Sequence, residues 1–203
     1  MNDKAIIREM IESWVLWRDG GDWDRLRTLW HDDGTMHTSW YSAKGSEFVE
    51  RSKKAAQAGL RVIHMLGGIS IDLNGDRAIA QTRMQIIQRA PLDGRLVDVT
   101  CYGRFFDAFE RRDGKWGIVM RQPIYELDQI SVVEFEGLSG DGAGFLASYP
   151  DGYRYLAAIQ SQMGFTVSRD LPTSGGGPLD DLRDRGAMWL NGTRSSFPER
   201  EMA

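Results

Sequence analysis

The stretch Arg18–Leu26, RDGGDWDRL, sets a carboxylate, Asp19, at the exit of one helix and reopens a second helix three residues later. The run HMLGG at His64–Gly68 supplies an imidazole. Together they offer the two halves of a proton-transfer pair. A neutral imidazole is poised near pH 7, and a carboxylate on its other ring nitrogen fixes the tautomer and stabilises the imidazolium that forms. Stability does not account for the acid, because a carboxylate at a helix C-terminus meets the negative end of the macrodipole.

The elements that must position this pair are legible in the apolar spacing. Ile6, Ile7, Met10, Ile11, Trp14, Val15 and Trp17 recur at helical period and predict an amphipathic helix over about residues 3 to 18. Two glycines then permit a tight reversal, Asp22 is a good N-cap, and Trp23, Leu26, Leu29 and Trp30 form the apolar face of a second helix. Thr35–Tyr41 reads as a short strand and Ser46–Gln57 as a third helix capped by Ser46. From Arg61 to Asp128 the period becomes two, giving four long strands broken at Asn74–Gly75, Asp93–Gly94 and Asp113–Gly114. Ala78, Ala80, Thr82, Met84 and Ile86 should face inward, as should Val97, Val99, Cys101, Gly103 and Phe105. Helices followed by a strand meander predict an α+β fold, a curved antiparallel sheet with the N-terminal helices packed in its concave face.

Past Glu134 the pattern breaks into the loop FEGLSGDGAG, so we divide the chain into a domain at 1–134 and a C-terminal extension at 135–203. The extension carries two helices, Asp151–Met163 and Pro178–Leu190. Its Phe145, Leu156, Ile159 and Phe165 need burial, and Tyr149 and Tyr153 are placed to reach a pocket mouth as a lid.

Composition excludes several classes. The net charge of −4 with no basic tract lacks the footprint of a nucleic-acid binder. No apolar run approaches the roughly 20 residues that span a bilayer, and the charged N-terminus is not a signal peptide, so a cytoplasmic location without membrane contact is expected. A single cysteine, Cys101, excludes an internal disulfide and a thiolate zinc site; it should be an inert buried residue. The polar run His31–Asp33 reads as a solvated turn rather than a metal site, and the glycine-rich segments match no nucleotide loop. No metal or cofactor is expected. Seven tryptophans and nine methionines serve either as core or as the lining of an apolar pocket for an aromatic ligand.

In order and motif, residues 3 to 128 resemble the nuclear transport factor 2-like cone fold, in its SnoaL-like polyketide cyclase and scytalone dehydratase branch. RDGGDWDRL and VIHMLGG are similar to the scytalone dehydratases; FERRDGKW followed by Arg121 resembles the hexachlorocyclohexane dehydrochlorinases. The resemblance implies that Asp19 orients His64, that His64 removes a proton from carbon, and that Arg121 faces the pocket and helps a leaving anion. It also places His37, Gln88 and Phe105 around a small aromatic substrate, with Trp40 and Tyr41 near the pocket's opening, and the strand alternation adds Met84 to the substrate-lining row. Departures are equally specific. Arg18 stands where the dehydratases carry a tyrosine, HTSW offers only His37 and Thr38 in place of a second tyrosine, Gln88 replaces a second histidine, and Gly103 and Phe105 replace a serine–asparagine pair. The dehydratase's general-acid apparatus is therefore missing, and scytalone is not the expected substrate.

The expected function is a cofactor-independent lyase acting by dehydration or a related elimination. The alternatives are formaldehyde release from a lignin-derived diaryl propanediol, and a non-catalytic ligand-binding or adaptor module. Two surface expectations complete the reading. Met84, Val99, Phe105 and Val119 should form one cavity wall, while Tyr102, Phe106, Trp116, Ile118 and Met120 on the opposite face should bury in a homodimer.

Overall fold

Helix α1, Asp3–Gly20, starts where Asn2 accepts hydrogen bonds from the Lys4 and Ala5 amides and stops at Gly21, whose φ of 78° gives the left-handed turn that releases the chain. In this computed structural model, which describes residues 2–133, 148–173, 175–193 and 197, α1 lays Ile7, Ile11, Trp14 and Val15 into the core. Helix α2, Trp23–Arg27, follows with Asp22 as its cap. It is shorter than its apolar residues suggest. Leu29 and Trp30 leave it, and Trp30 opens strand β1, Trp30–His37. Strand β2, Ser42–Lys44, leads into α3, Gly45–Gln57. Lys44 precedes that helix with no side-chain cap, so Ser46 does not cap it as expected.

Four long strands follow: β3, Arg61–Asn74; β4, Arg77–Leu92; β5, Arg95–Arg112; and β6, Lys115–Val132. The loops Asp93–Gly94 and Asp113–Gly114 have positive φ at both residues, the two-residue turn whose twist matches that of paired strands. The six-stranded sheet runs β2-β1-β6-β5-β4-β3. It is antiparallel except where β1 lies parallel to β6.

Bulges set which residues face which way. In β3 the pairing shifts between Leu66 and Ile69, so Gly67 and Gly68 together oppose Arg83. In β6, Ala108 pairs with Met120 but Phe109 with Ile118, leaving Val119 as the extra residue. This overturns part of the expected register. Met84, Val99 and Phe105 face the main core as predicted, but Val119 joins the outer cluster, while Trp116 and Ile118 turn inward. A one-residue insertion exchanges the faces of everything beyond it.

The extension packs on both faces. Helix α4, Arg154–Gln162, and its flanks put Tyr149, Tyr153, Leu156, Ile159 and Leu171 into the main core. Asp128 of β6 caps α4, accepting from the Tyr155 and Leu156 amides at 2.6 and 3.2 Å. Helix α5, Gly177–Leu190, covers the outer face: Leu179, Leu182 and Trp189 cluster with Ile79, Phe106, Met120 and Ile124. Gly186 lies so close to the sheet that a Cβ there would meet the Phe106 ring at 2.5 Å. The face expected to await a second copy is thus covered at Phe106 and Met120 by the chain's own helix. Phe145 lies outside the described residues.

Candidate active site

The stripe that puts Ile7, Ile11 and Trp14 into the core continues by one turn to Arg18, and Asp19 follows it toward β3. Asp19 then grips a single residue twice. Its Oδ2 accepts the His64 backbone N–H at 2.6 Å and its Oδ1 meets His64 Nδ1 at 2.8 Å. A charged acceptor on Nδ1 holds the proton there, which leaves Nε2 as the basic nitrogen. No described residue hydrogen-bonds Nε2.

His64 is enclosed, with its side chain 7% exposed. The Trp14 ring stands edge-on to it at 5.2 Å and Phe105 lies at 6.2 Å. Burial lowers the His64 pKa most; the Asp19 hydrogen bond raises it, and the positive charges of Arg18 and Arg121 lower it further. The imidazole is therefore neutral at pH 7.

His64 forms part of the wall of a cavity between the concave sheet face, α1, α3 and the extension. Enclosed volume is about 60 Å³, within about 670 Å³ of free space once the mouth is counted. Trp14, Trp40, Phe48, Phe105 and Phe165 give it aromatic walls. Leu156, Gln160, Met163 and Phe165 form the side supplied by the extension. That side is anchored: Ser39 Oγ donates to Gln160 Oε1 at 2.6 Å, Gln88 Nε2 approaches Met163 Sδ at 3.7 Å, and Phe165 packs on Trp40 at 5.0 Å.

Of the residues singled out in the sequence, His64, Trp40, Gln88 and Phe105 line this cavity, with Asp19 directly behind His64. Four others do not. Arg121 is completely buried and paired with Asp107 on the neighbouring strand, at 2.7 and 2.8 Å, with its guanidinium over the Trp14 and Phe105 rings at 4.6 and 4.5 Å. Those rings separate it from the cavity space, and its two close bonds go to a carboxylate. Tyr41 donates to the Lys44 carbonyl at 2.7 Å, and burial raises its pKa to about 12. His37 bonds Ser42 and Thr35 beside a separate cleft, and burial, aided by Arg185, lowers its pKa to about 4. Met84 is buried beside a groove between β3 and β5. Tyr149 and Tyr153 do not form the mouth; Tyr153 is fully buried and bonds the Ser168 carbonyl.

His31, of the HDD run, bonds the Glu110 carbonyl at 2.9 Å, and Asp33 pairs with Arg112. Among the described residues no cluster of three or more metal-ligating side chains occurs, and no helix is long and apolar enough to cross a membrane.

Several cavity groups escaped the sequence reading, among them Arg18, treated only as a departure from a motif, Ser52 of α3, and Gln160 and Met163 of the extension. The signal for Arg18 was present, since 7, 11, 14 and 18 continue one helical stripe.

A model of the SnoaL-like domain matches residues 1–122. The chain is 31% identical over 174 residues to Pea pathogenicity protein 2 of Fusarium vanettenii, covering 84% of this chain and 75% of that protein. It superposes on the structure of a scytalone dehydratase candidate from Novosphingobium aromaticivorans with a TM-score of 0.52 at 20% identity, over 61% of this chain and 83% of that one. A Type2 LinA hexachlorocyclohexane dehydrochlorinase gives 0.54 at 15% identity, over 68% and 94%. These two are likenesses of fold. The helix-first order, the curved sheet and the matched segment agree: the chain belongs to the SnoaL-like domain family, within the nuclear transport factor 2-like superfamily.

Proposed function

We propose that this protein is a cofactor-independent lyase that eliminates a leaving group from a small aromatic compound, with His64 as general base and Asp19 as the residue that orients it. The observation that carries this reading is the doubly bonded Asp19–His64 pair in the wall of an aromatic-lined cavity. His64 Nε2 takes a proton from carbon, the C–H electron pair becomes the new C=C bond, and the leaving group departs with its electrons. In a dehydration the imidazolium can return the proton to the departing hydroxide, so water is released and the base regenerated. Asp19 keeps the imidazolium paired throughout. Arg121, shielded behind Trp14 and Phe105, adds a positive charge that favours neutral His64 without touching substrate.

The test is incubation of the purified chain with aromatic β-hydroxy and β-halo compounds and with diaryl propanediols, with products identified by mass spectrometry. Elimination should occur for at least one class and fall about 10²–10⁴-fold in His64→Ala, the usual contribution of a positioned base. Turnover that survives in that variant removes His64 from the chemistry. Formaldehyde as product would identify the C–C lyase alternative.

A further inference from the structure

We infer that Arg18 and Ser52 form an anion-binding subsite in the cavity, and that the ring compounds it admits carry an ionised oxygen. This rests on the proposed reading of the cavity as a substrate site and names its substrate class.

Arg18 is a buried cation without a close partner. Its side chain is 11% exposed, and its Nη1 comes only to 3.4 Å of Asp19 Oδ1, longer than a well-formed N–H···O bond. Asp19 Oδ1 also takes the shorter 2.8 Å bond from His64 Nδ1, so Arg18 shares that oxygen rather than holding it alone. Arg18 Nε is buried with no hydrogen-bond partner. Arg121 is just as buried and also has one unpartnered nitrogen, Nη1, but its charge is met by Asp107 through two bonds of 2.7 and 2.8 Å, which Arg18 lacks. Burial accordingly lowers the Arg18 pKa, with Asp19 only partly opposing it. A guanidinium nevertheless stays protonated in proteins.

A second, independent signal lies on the facing helix. Ser52 of α3 is 1% exposed and lines the same cavity, yet its hydroxyl also has no partner. Buried polar groups are mostly satisfied, so three orphans on one cavity, the Arg18 cation, the Ser52 hydroxyl and the Trp14 indole N–H, mark where a ligand completes the bonding. The complementary group accepts hydrogen bonds and carries negative charge: a carboxylate or phenolate oxygen. Trp14, Trp40, Phe48 and Phe105 around it fit the attached ring.

Benzoate and benzamide share shape and differ in charge, so isothermal titration of the pair at pH 8, where His64 is neutral, isolates the subsite. The full chain should bind benzoate at least roughly tenfold tighter than benzamide, the worth of one hydrogen bond to a charged group. Arg18→Met and Arg18→Gln should abolish that preference, weakening benzoate at least about tenfold more than benzamide, and Ser52→Ala should weaken benzoate several-fold. Arg18→Gln keeps volume and a donor, so it carries the test if the methionine variant does not fold. A preference that survives in a folded Arg18 variant, equal affinity for the two probes, or binding of neither overturns the subsite. Binding is read without turnover. Benzoate selectivity in a chain that shows no His64-dependent elimination would therefore remove the lyase reading and leave this one standing.

Discussion

Asp19→Asn should disable the proton-transfer pair without unfolding the protein. The carboxylate accepts from two donors on one residue, the His64 backbone N–H at 2.6 Å and Nδ1 at 2.8 Å. An amide has only one accepting oxygen. The backbone N–H belongs to β3 and cannot turn away, whereas the ring can move its proton from one nitrogen to the other. The amide oxygen therefore stays with the backbone N–H, and its NH₂ group donates to Nδ1. That puts the ring proton on Nε2, the nitrogen that has to act as base. A wrong-tautomer dyad of this kind loses about 10³–10⁴-fold in rate, or about 4–5.5 kcal/mol at 1.36 kcal/mol per tenfold. Stability should fall by only about 1–2 kcal/mol, since one charge-assisted bond is exchanged for neutral ones. The tautomer can be read directly by long-range nitrogen–proton NMR of the imidazoles. With three histidines in the chain, the His64 signals are assigned by their loss in His64→Ala. A variant whose Nδ1 stays protonated, or whose turnover stays within about tenfold of the parent, refutes the argument.

Three further outcomes follow from the geometry. Because burial lowers the His64 pKa below 6.5, turnover should be flat above that pH and fall only as pH drops through the lowered value; a profile still rising at pH 8 contradicts the assignment. Arg121→Met should cost about 3–5 kcal/mol in chemical denaturation by stranding buried Asp107, yet the folded variant should keep its benzoate affinity within about threefold, which titration checks. Asp128, which caps α4, has its pKa raised to about 6 by burial, so its folded form holds the proton more tightly than an unfolded aspartate at 3.8. Its favourable contribution is therefore full below about pH 4 and lost by about pH 6; the ceiling of about 3 kcal/mol is nearer 1–1.5 for a partly exposed group. Asp128→Asn should flatten that part of the stability–pH curve, measured by urea denaturation, and identical curves would show the shift to be unreal.

What could be read in the sequence was whatever obeys a simple period or a named motif. The α1 stripe, the alternation along β4 and β5 and the Asp–Gly turns all appear where expected, and Asp19 meets His64 because the end of α1 lies over β3. What could not be read depends on single-residue events. The unpaired Val119 in β6 carries no side-chain signature, yet it sends Trp116 and Ile118 inward and leaves Val119 outside. Arg121 occupies the inner row, but the carboxylate that claims it sits on another strand and pairs only once the register exists. Arg18 was legible from helical phase and was hidden by its chemistry, since an arginine on an apolar face looks like an interruption. The covering of Phe106 by Gly186 needs the three-dimensional path of the extension, which no local pattern encodes.

The cavity is assembled from two separable stretches of chain. His64, Asp19, Arg18, Ser52, Trp14 and Phe105 all fall within the segment shared with the family, residues 1–122, whereas Leu156, Gln160, Met163 and Phe165 lie beyond it. On the proposed reading, the proton relay and the anion subsite lie in the first stretch, and one wall over the ring lies in the second. Mutations in the later stretch can reshape which ring fits while the proton relay stays untouched, and a poor relay cannot be rescued by a better roof. Such a division lets new substrates be tried at low risk to catalysis, and it makes the exchange of residues 148–173 between homologues the natural way to retune this protein.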